Sequence, residues 1–182
     1  MQDVPIAASI RPARPADAPE IARLVNAAYQ VEAFFVDGER TSASDVLSKM
    51  NDGTFLVIDA PEGLVGAVFV DGFHLAATAG VATIGMLSVA PNVARLGLGR
   101  RLLAVAEALA SALGSHAARL YVVNVRTELI RWYRSLGYVE IGDAPYVHRP
   151  TKQPVHFVVL AKPLSKGGTE RKGVRIGAPL QE

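Results

Sequence analysis

No segment of this 182-residue chain constrains its fold as much as Ile84 to Arg101. An apolar run, Ile84-Gly85-Met86-Leu87-Ser88-Val89, passes through a Pro91-Asn92 turn into Arg95-Leu96-Gly97-Leu98-Gly99-Arg100. Leu98, Leu102, Val105, Leu109 and Leu113 then recur at helical spacing, and Gly114 ends the pattern. The order is strand, glycine loop, helix. The first amides of such a helix lack intrahelical acceptors, and the helix dipole makes that end partly positive. Glycines there let the backbone approach an anion, so the loop can wrap a phosphate. Two glycines one residue apart suit a single pyrophosphate held by successive amides, with Arg95, Arg100 and Arg101 adding side-chain charge. Taken alone, such a glycine pair is equally an ordinary turn. No Gly-Lys-Ser/Thr follows, so it is not a Walker loop.

The flanking sequence embeds this unit in a mixed layout. Ala8 to Arg11 reads as a first strand. Asp17 is expected to cap a helix, with Glu20 closing a capping box and Ile21, Leu24, Val25 and Ala28 on one face. A short helix from Ser42 or Ser44 to Met50 follows the irregular stretch Gln30 to Arg40. Thr54 to Asp59 and Leu64 to Phe73 read as strands joined by Ala60-Pro61-Glu62-Gly63, and Ala82 to Val89 as a third. After the long helix come a strand at Arg119 to Asn124 and a helix at Glu128 to Leu136 stopped by Gly137. Closing strands follow at Tyr138 to Ile141 and Val155 to Leu160. The expected fold class is mixed α/β, a central mostly antiparallel sheet with one parallel β-α-β unit, and not a strictly alternating doubly wound sheet.

Composition narrows the classes. Half of the residues are hydrophobic, and the length suits one domain. Residues 1–163 are read as that domain and residues 164–182 as a basic, Gly-rich tail. The formal charge of +2 comes from the end of the chain, where Lys162, Lys166, Arg171, Lys172 and Arg175 outweigh Glu170 and Glu182. The nearly neutral body offers no electrostatic footprint for nucleic acid. Without cysteine, disulfides, thiolate metal sites and a cysteine nucleophile are excluded. Met1 to Ser9 lacks the pattern of a signal peptide, and no apolar run nears the roughly 20 residues needed to span a bilayer, so a cytoplasmic protein that uses no membrane is expected. His74, His148 and His156 are scattered without metal-ligand spacing, and no metal site is expected.

A second segment sharpens the first. Val122-Val123-Asn124-Val125-Arg126 leads into a helix that ends Tyr133-Arg134-Ser135-Leu136-Gly137-Tyr138. Leu87-Ser88-Val89-Ala90-Pro91, Gly97-x-Gly99 and Tyr133-x-x-x-Gly137-Tyr138, in this order and spacing, resemble the GNAT acetyltransferase superfamily, and the element order resembles that fold to about residue 163. The resemblance implies transfer of the acetyl group of acetyl-CoA directly to a primary amine of a small-molecule or peptide acceptor. It implies cofactor contacts from Leu87, Ser88 and Val89 on a splayed strand, from Arg95, Leu96, Gly97, Leu98, Gly99 and Arg100 on the loop, and from Asn124 and Tyr133. It also implies that Tyr133 donates a proton to the departing thiolate. The residues alone leave Tyr133 open as a helix aromatic packed under the sheet. Two positions depart from the family pattern. Ala94 stands where Gln or Arg is usual, with Arg95 one step on. Arg126 stands where Asn is frequent, with Asn124 two residues earlier.

Several family members carry a Glu on the strand before the loop, and Thr83 to Ser88 has no carboxylate. Glu32 and Asp37, beside Phe34 and Phe35, are the candidate bases, because apolar neighbours raise a carboxylate pKa. A solvated acidic loop is the alternative, as is a water chain serving as base. The stretch Gln30 to Arg40 reads either as a wall for a cationic acceptor or as a hydrophobic plug at the sheet edge. Two other classes stay open: a CoA-binding regulatory domain of the same fold without turnover, and a nucleotide-binding module using the loop for another phosphate. A homodimer is compatible with the sequence, but no residue marks one.

Overall fold

The computed structural model describes residues 9–71 and 80–164. The start of the first expected strand at Ala8, Phe73, His74 and the tail from Ser165 lie outside the described residues. The element order is β1 (Ser9–Pro12), α1 (Ala18–Tyr29), α2 (Ala43–Lys49), β2 (Thr54–Ala60), β3 (Gly63–Asp71) and β4 (Val81–Val89). It continues with α3 (Leu98–Ala112), β5 (Ala117–Val123), α4 (Thr127–Ser135), β6 (Val139–Pro145) and β7 (His156–Pro163). The strands form one seven-stranded sheet in the order β1-β2-β3-β4-β5-β7-β6. All neighbours are antiparallel except β4 and β5, the parallel pair joined through α3.

Helices cover both faces. α1 and α2 pack on one through Ile21, Leu24, Val25 and Val46, against Phe55, Val57 and Phe69. α3 and α4 pack on the other through Leu102, Leu103, Ala106, Ile130 and Tyr133, against Ile58, Val68 and Leu120. Strand β2 is therefore buried on both sides, which is why it reads as a continuous apolar run. The buried stripe of α3 differs from the expected one. It runs through Leu98, Leu102, Leu103, Ala106 and Ala110, while Val105 and Leu113 are exposed. Leu103, Ala106 and Ala110 share that stripe, so alanines that the leucine spacing passed over form part of the contact. The expected capping box at α1 is absent as well. A short turn at Pro15–Asp17 starts the helical path earlier, and Asp17 binds Arg11 (2.7 Å) and accepts from the Arg14 amide. Glu20 instead accepts from the Leu64 amide at 2.8 Å.

A polar network ties α3 to the strands on its far side. Tyr138 Oη donates to Glu107 at 2.8 Å, and Lys162 Nζ lies 2.8 Å from the other carboxylate oxygen and 5.5 Å from the Tyr138 ring centre. Burial and the adjacent carboxylate hold the Tyr138 phenol well above its ordinary pKa, so the proton that makes this bond stays in place. Glu107→Ala strands both partners. It is expected to cost about 2 kcal/mol, a fall of about 4–8 °C in Tm for a chain of this size. A melting curve indistinguishable from wild type would show the network to be inert.

Candidate active site

The site starts from a strand that loses its neighbour. β4 pairs with β5 only from Val81 to Thr83, opposite Ala117 to Arg119. From Ile84 onward the edge of β4 that faces β5 has no strand partner among the described residues, and the two strands separate. On its other edge β4 carries a bulge: Ala67 faces Ser88 and Phe69 faces Gly85, so Met86 and Leu87 stand opposite Val68 alone. Met86 takes a left-handed φ of 52°. The extra residue switches the parity of the strand. Ala82 and Ile84 face the α3 side, Met86 turns to the α1 side, and Leu87 and Val89 return to the α3 side. Ser88, 2% exposed, donates from Oγ to the Met86 carbonyl at 3.1 Å and braces the bulge.

The glycine loop leaves the end of this strand. Gly97 caps α3 in a left-handed conformation (φ 75°), and a Cβ there would meet nothing within 4 Å. Arg95 is also left-handed, with φ 73°. Among the described residues Met86 and Arg95 are the non-glycine residues at positive φ, and both border this site. Such conformations cost about 1–3 kcal/mol each and concentrate where a backbone is set for function. Gly99 packs against Val89, where an added Cβ would lie 3.7 Å from it. Leu98 is buried, so only its backbone faces outward, whereas Leu96, Arg95, Arg100 and Arg101 are exposed.

Between the separated strands lies a cavity of about 400 Å³, lined by Met86 to Val89, Ala94, Leu120 to Val123, Arg126 and Tyr133, with Tyr29 and Glu32 on its α1 side. Tyr133 is 6% exposed. Among the described residues its hydroxyl makes no hydrogen bond, and its ring packs against Trp132 and Tyr138 at 4.8 and 5.7 Å. Burial raises its pKa above the ordinary phenol value, so the proton is held at neutral pH. A second cavity of about 760 Å³ opens on the α1 and α2 face. Tyr29, Arg40, Ile84, Gly85, Met86, Tyr121 and Phe157 line both, so the two spaces meet beside the bulge.

The other residues singled out in the sequence divide. Glu32 is 7% exposed and accepts from Arg126 Nη1 at 3.1 Å. Desolvation raises its pKa, opposed by the charges of Arg40 and Arg126. Asp37 is exposed, pairs with Lys152 at 2.7 Å and lines neither of the two joined cavities. Asn124 closes the end of β5, its side chain accepting from the His156 amide at 3.1 Å, and it does not line the cavity. The neighbouring departure, Arg126, bridges Glu32 and Glu128. The stretch Gln30 to Arg40 divides in the same way. Phe35 is fully buried with Val36, Val123 and Phe157, whereas Glu39 and Arg40 line the larger cavity. Sequence reasoning missed Tyr29, Arg40 and Tyr146, which carry no motif. The bulge did leave a trace, the shift of apolar parity from Ala82 and Ile84 to Leu87 and Val89.

Among the described residues no cluster of three His, Asp or Glu side chains gathers as a metal site, and no helix is long and apolar enough to cross a membrane. A family profile described as an acetyltransferase (GNAT) domain matches residues 51–140. No curated protein matches the chain. Among solved structures, the ribosomal-protein-alanine N-acetyltransferase of Brucella melitensis is 21% identical, with a TM-score of 0.71, covering 86% of this chain and 99% of its own. The ribosomal-protein-S18-alanine N-acetyltransferase of Escherichia coli is 21% identical with a TM-score of 0.67, covering 90% and 97%. A Salmonella typhimurium protein solved with its cofactor acetyl-CoA is 20% identical with a TM-score of 0.70, covering 88% and 95%. At these identities the likeness carries the fold.

Proposed function

Since the chain belongs to the GNAT acetyltransferase family, we propose that it moves the acetyl group of acetyl-CoA directly to the nitrogen of a primary amine. The observation that carries this reading is the unpaired, bulged edge of β4, which opens between two cavities that meet at Met86. The chain's residues fit coenzyme A. The free edge of β4 from Ile84 to Val89 offers backbone groups to the amides of a pantetheine arm. The first-turn amides of α3, with open space over Gly97, suit its diphosphate. Bound there, the coenzyme supplies an activated acetyl group as a thioester.

The protein then has three tasks. Amides at the bulge polarise the acetyl carbonyl. A base takes the amine proton as the C–N bond forms, and an acid returns a proton to sulfur as the C–S bond breaks. Tyr133 is the acid, because its hydroxyl makes no hydrogen bond among the described residues and its side chain lines the cavity that would take the thioester. Glu32 is the better placed base, acting through water, since it is buried beside Tyr29 and lines the smaller cavity. Glu32→Gln is expected to lower kcat/KM by about 10²-fold or more, while Asp37→Asn changes it little. A base must be ionised, so the rate rises with pH through the raised Glu32 value, above the usual carboxylate range, and Glu32→Gln removes that limb. An acid limb that persists in this variant would assign the base elsewhere.

Thermal melting with acetyl-CoA, CoA, ATP and NAD tests the cofactor. A ligand at 100 times its Kd adds about 2.7 kcal/mol, a rise of about 5–10 °C. A rise with acetyl-CoA and CoA alone supports the reading, whereas an equal rise with ATP would return the loop to a general nucleotide site. Turnover on a panel of amines separates the enzyme from a CoA-binding regulatory domain.

A further inference from the structure

We propose, resting on the reading above, that the acceptor is a free amino acid whose carboxylate is held by Arg40 beside the reacting amine. Arg40 stands at the junction of the two cavities, so a group bound there is close to the Met86 bulge. Its position is built from both sides. Asn26 on α1 clamps the next residue, accepting from the Thr41 amide at 3.0 Å and donating to the Thr41 carbonyl at 2.9 Å. Arg149 gathers the three preceding carbonyls, donating to those of Asp37, Gly38 and Glu39 at 3.0, 3.1 and 2.8 Å. The Tyr29 ring supports the guanidinium, 5.2 Å from ring centre to Cζ.

Despite this support, Arg40 forms no direct ion pair among the described residues: its charge acts on the buried Glu32, which Arg126 binds, and its own Nε is buried without a hydrogen-bond partner. The neighbouring cations differ from it. Arg126 is bound to Glu32 and Glu128, Arg149 is held through Nη1 by its three carbonyls, and Lys49, over the Phe69 ring, is exposed; of these cations only Arg40 has a buried nitrogen without a partner. A buried guanidinium donor left unpaired costs about 1–3 kcal/mol or more unless a ligand completes it. Two further buried donors share this condition: Thr41 Oγ1 on the larger cavity and Tyr146 Oη on the smaller. An orphaned acceptor, Asp71 Oδ1, also lines the larger cavity, on β3 opposite Thr83 and away from the bulge. Around the junction itself each unmet group can donate, and the one that only donates is the Arg40 guanidinium, which suits an anionic, acceptor-rich ligand.

Coenzyme A does not meet this need. Its pantetheine arm is neutral, and none of residues 95–100 lines a cavity that Arg40 lines. The anion therefore belongs to the acceptor. A planar carboxylate matches the guanidinium fork, and its two charge-assisted hydrogen bonds fix the neighbouring amine in orientation. A peptide N-terminus has an amide in place of that carboxylate and offers Arg40 one neutral oxygen, without the charge or the second oxygen of the fork. The apolar walls of the larger cavity, Phe69, Ile84, Met86 and Phe157, suit an aliphatic or aromatic side chain.

The test is steady-state acetylation of L-leucine, L-methionine and L-phenylalanine beside their amides, their decarboxylated amines and short peptides beginning with them. Wild type, Arg40→Gln and Arg40→Lys are compared. The wild type is expected to prefer each acid over its amide by on the order of 100-fold in kcat/KM. In Arg40→Gln the acid loses most of that factor, chiefly through KM, while the amide changes little by comparison; Arg40→Lys recovers part of it. Equal use of acid and amide, preference for peptides, acetylation of none of the three acids, or an acid preference that survives Arg40→Gln each overturns the proposal. The CoA-induced melting shift is measured on the same variants. Its absence in the wild type defeats the cofactor reading, whereas its presence with no acid preference defeats only the acceptor assignment.

Discussion

Tyr133→Phe is expected to lower kcat by about 10²–10⁴-fold while the melting shift produced by CoA stays at the wild-type value. The substitution removes only Oη, which makes no hydrogen bond among the described residues, and leaves the ring contacts with Trp132 and Tyr138 in place. The core of α4 should therefore survive. The raised pKa of the buried phenol keeps it protonated throughout the working range. That same dryness makes a departing thiolate more basic, so the proton has a receptive destination. Burst measurements with a saturating amine would place the loss in the chemical step. An unchanged kcat would reduce Tyr133 to a packing residue and require another acid in the 400 Å³ cavity.

Gly97→Val is expected to remove the CoA-dependent rise in Tm. Two effects combine. A β-branched residue at φ 75° is strained by about 1–3 kcal/mol, and its methyl groups occupy the open space above the first turn of α3 where a diphosphate would approach. Because an added Cβ there meets nothing within 4 Å among the described residues, the variant should still fold, with a lower melting midpoint. Gly97→Ala separates the contributions, since it carries the backbone strain with less bulk and should retain part of the shift. A normal CoA shift in Gly97→Val would show that the coenzyme does not use this loop.

The split between Glu32 and Asp37 shows how far a sequence can resolve a site. Both are acidic residues in one irregular stretch, and nothing local distinguishes them. Glu32 is buried because Arg126, 94 positions away, reaches it, while Asp37 faces solvent beside Lys152. Arg126 was legible only as a departure from a motif, and its partner was not legible at all. The capping residues of α1 teach the same point: Asp17 and Glu20 have the right spacing for a local box, yet Arg11 and the Leu64 amide engage them instead.

The chain alone determined what depends on neighbours within one or two turns. Gly97 and Gly99 before a helix, the helix periodicities and the order of the elements are set by backbone conformation and local patterning, and they sufficed for the fold and for placing the glycine loop at the start of α3. The meeting of strands was decided by tertiary structure. That β4 and β5 pair for three residues and then part, that Met86 turns the strand over, and that Arg40 Nε lacks a partner among the described residues where two cavities join all arise from segments far apart in sequence. A side chain's burial, partners and ionisation are properties of the space between such segments, and no local spacing encodes that space.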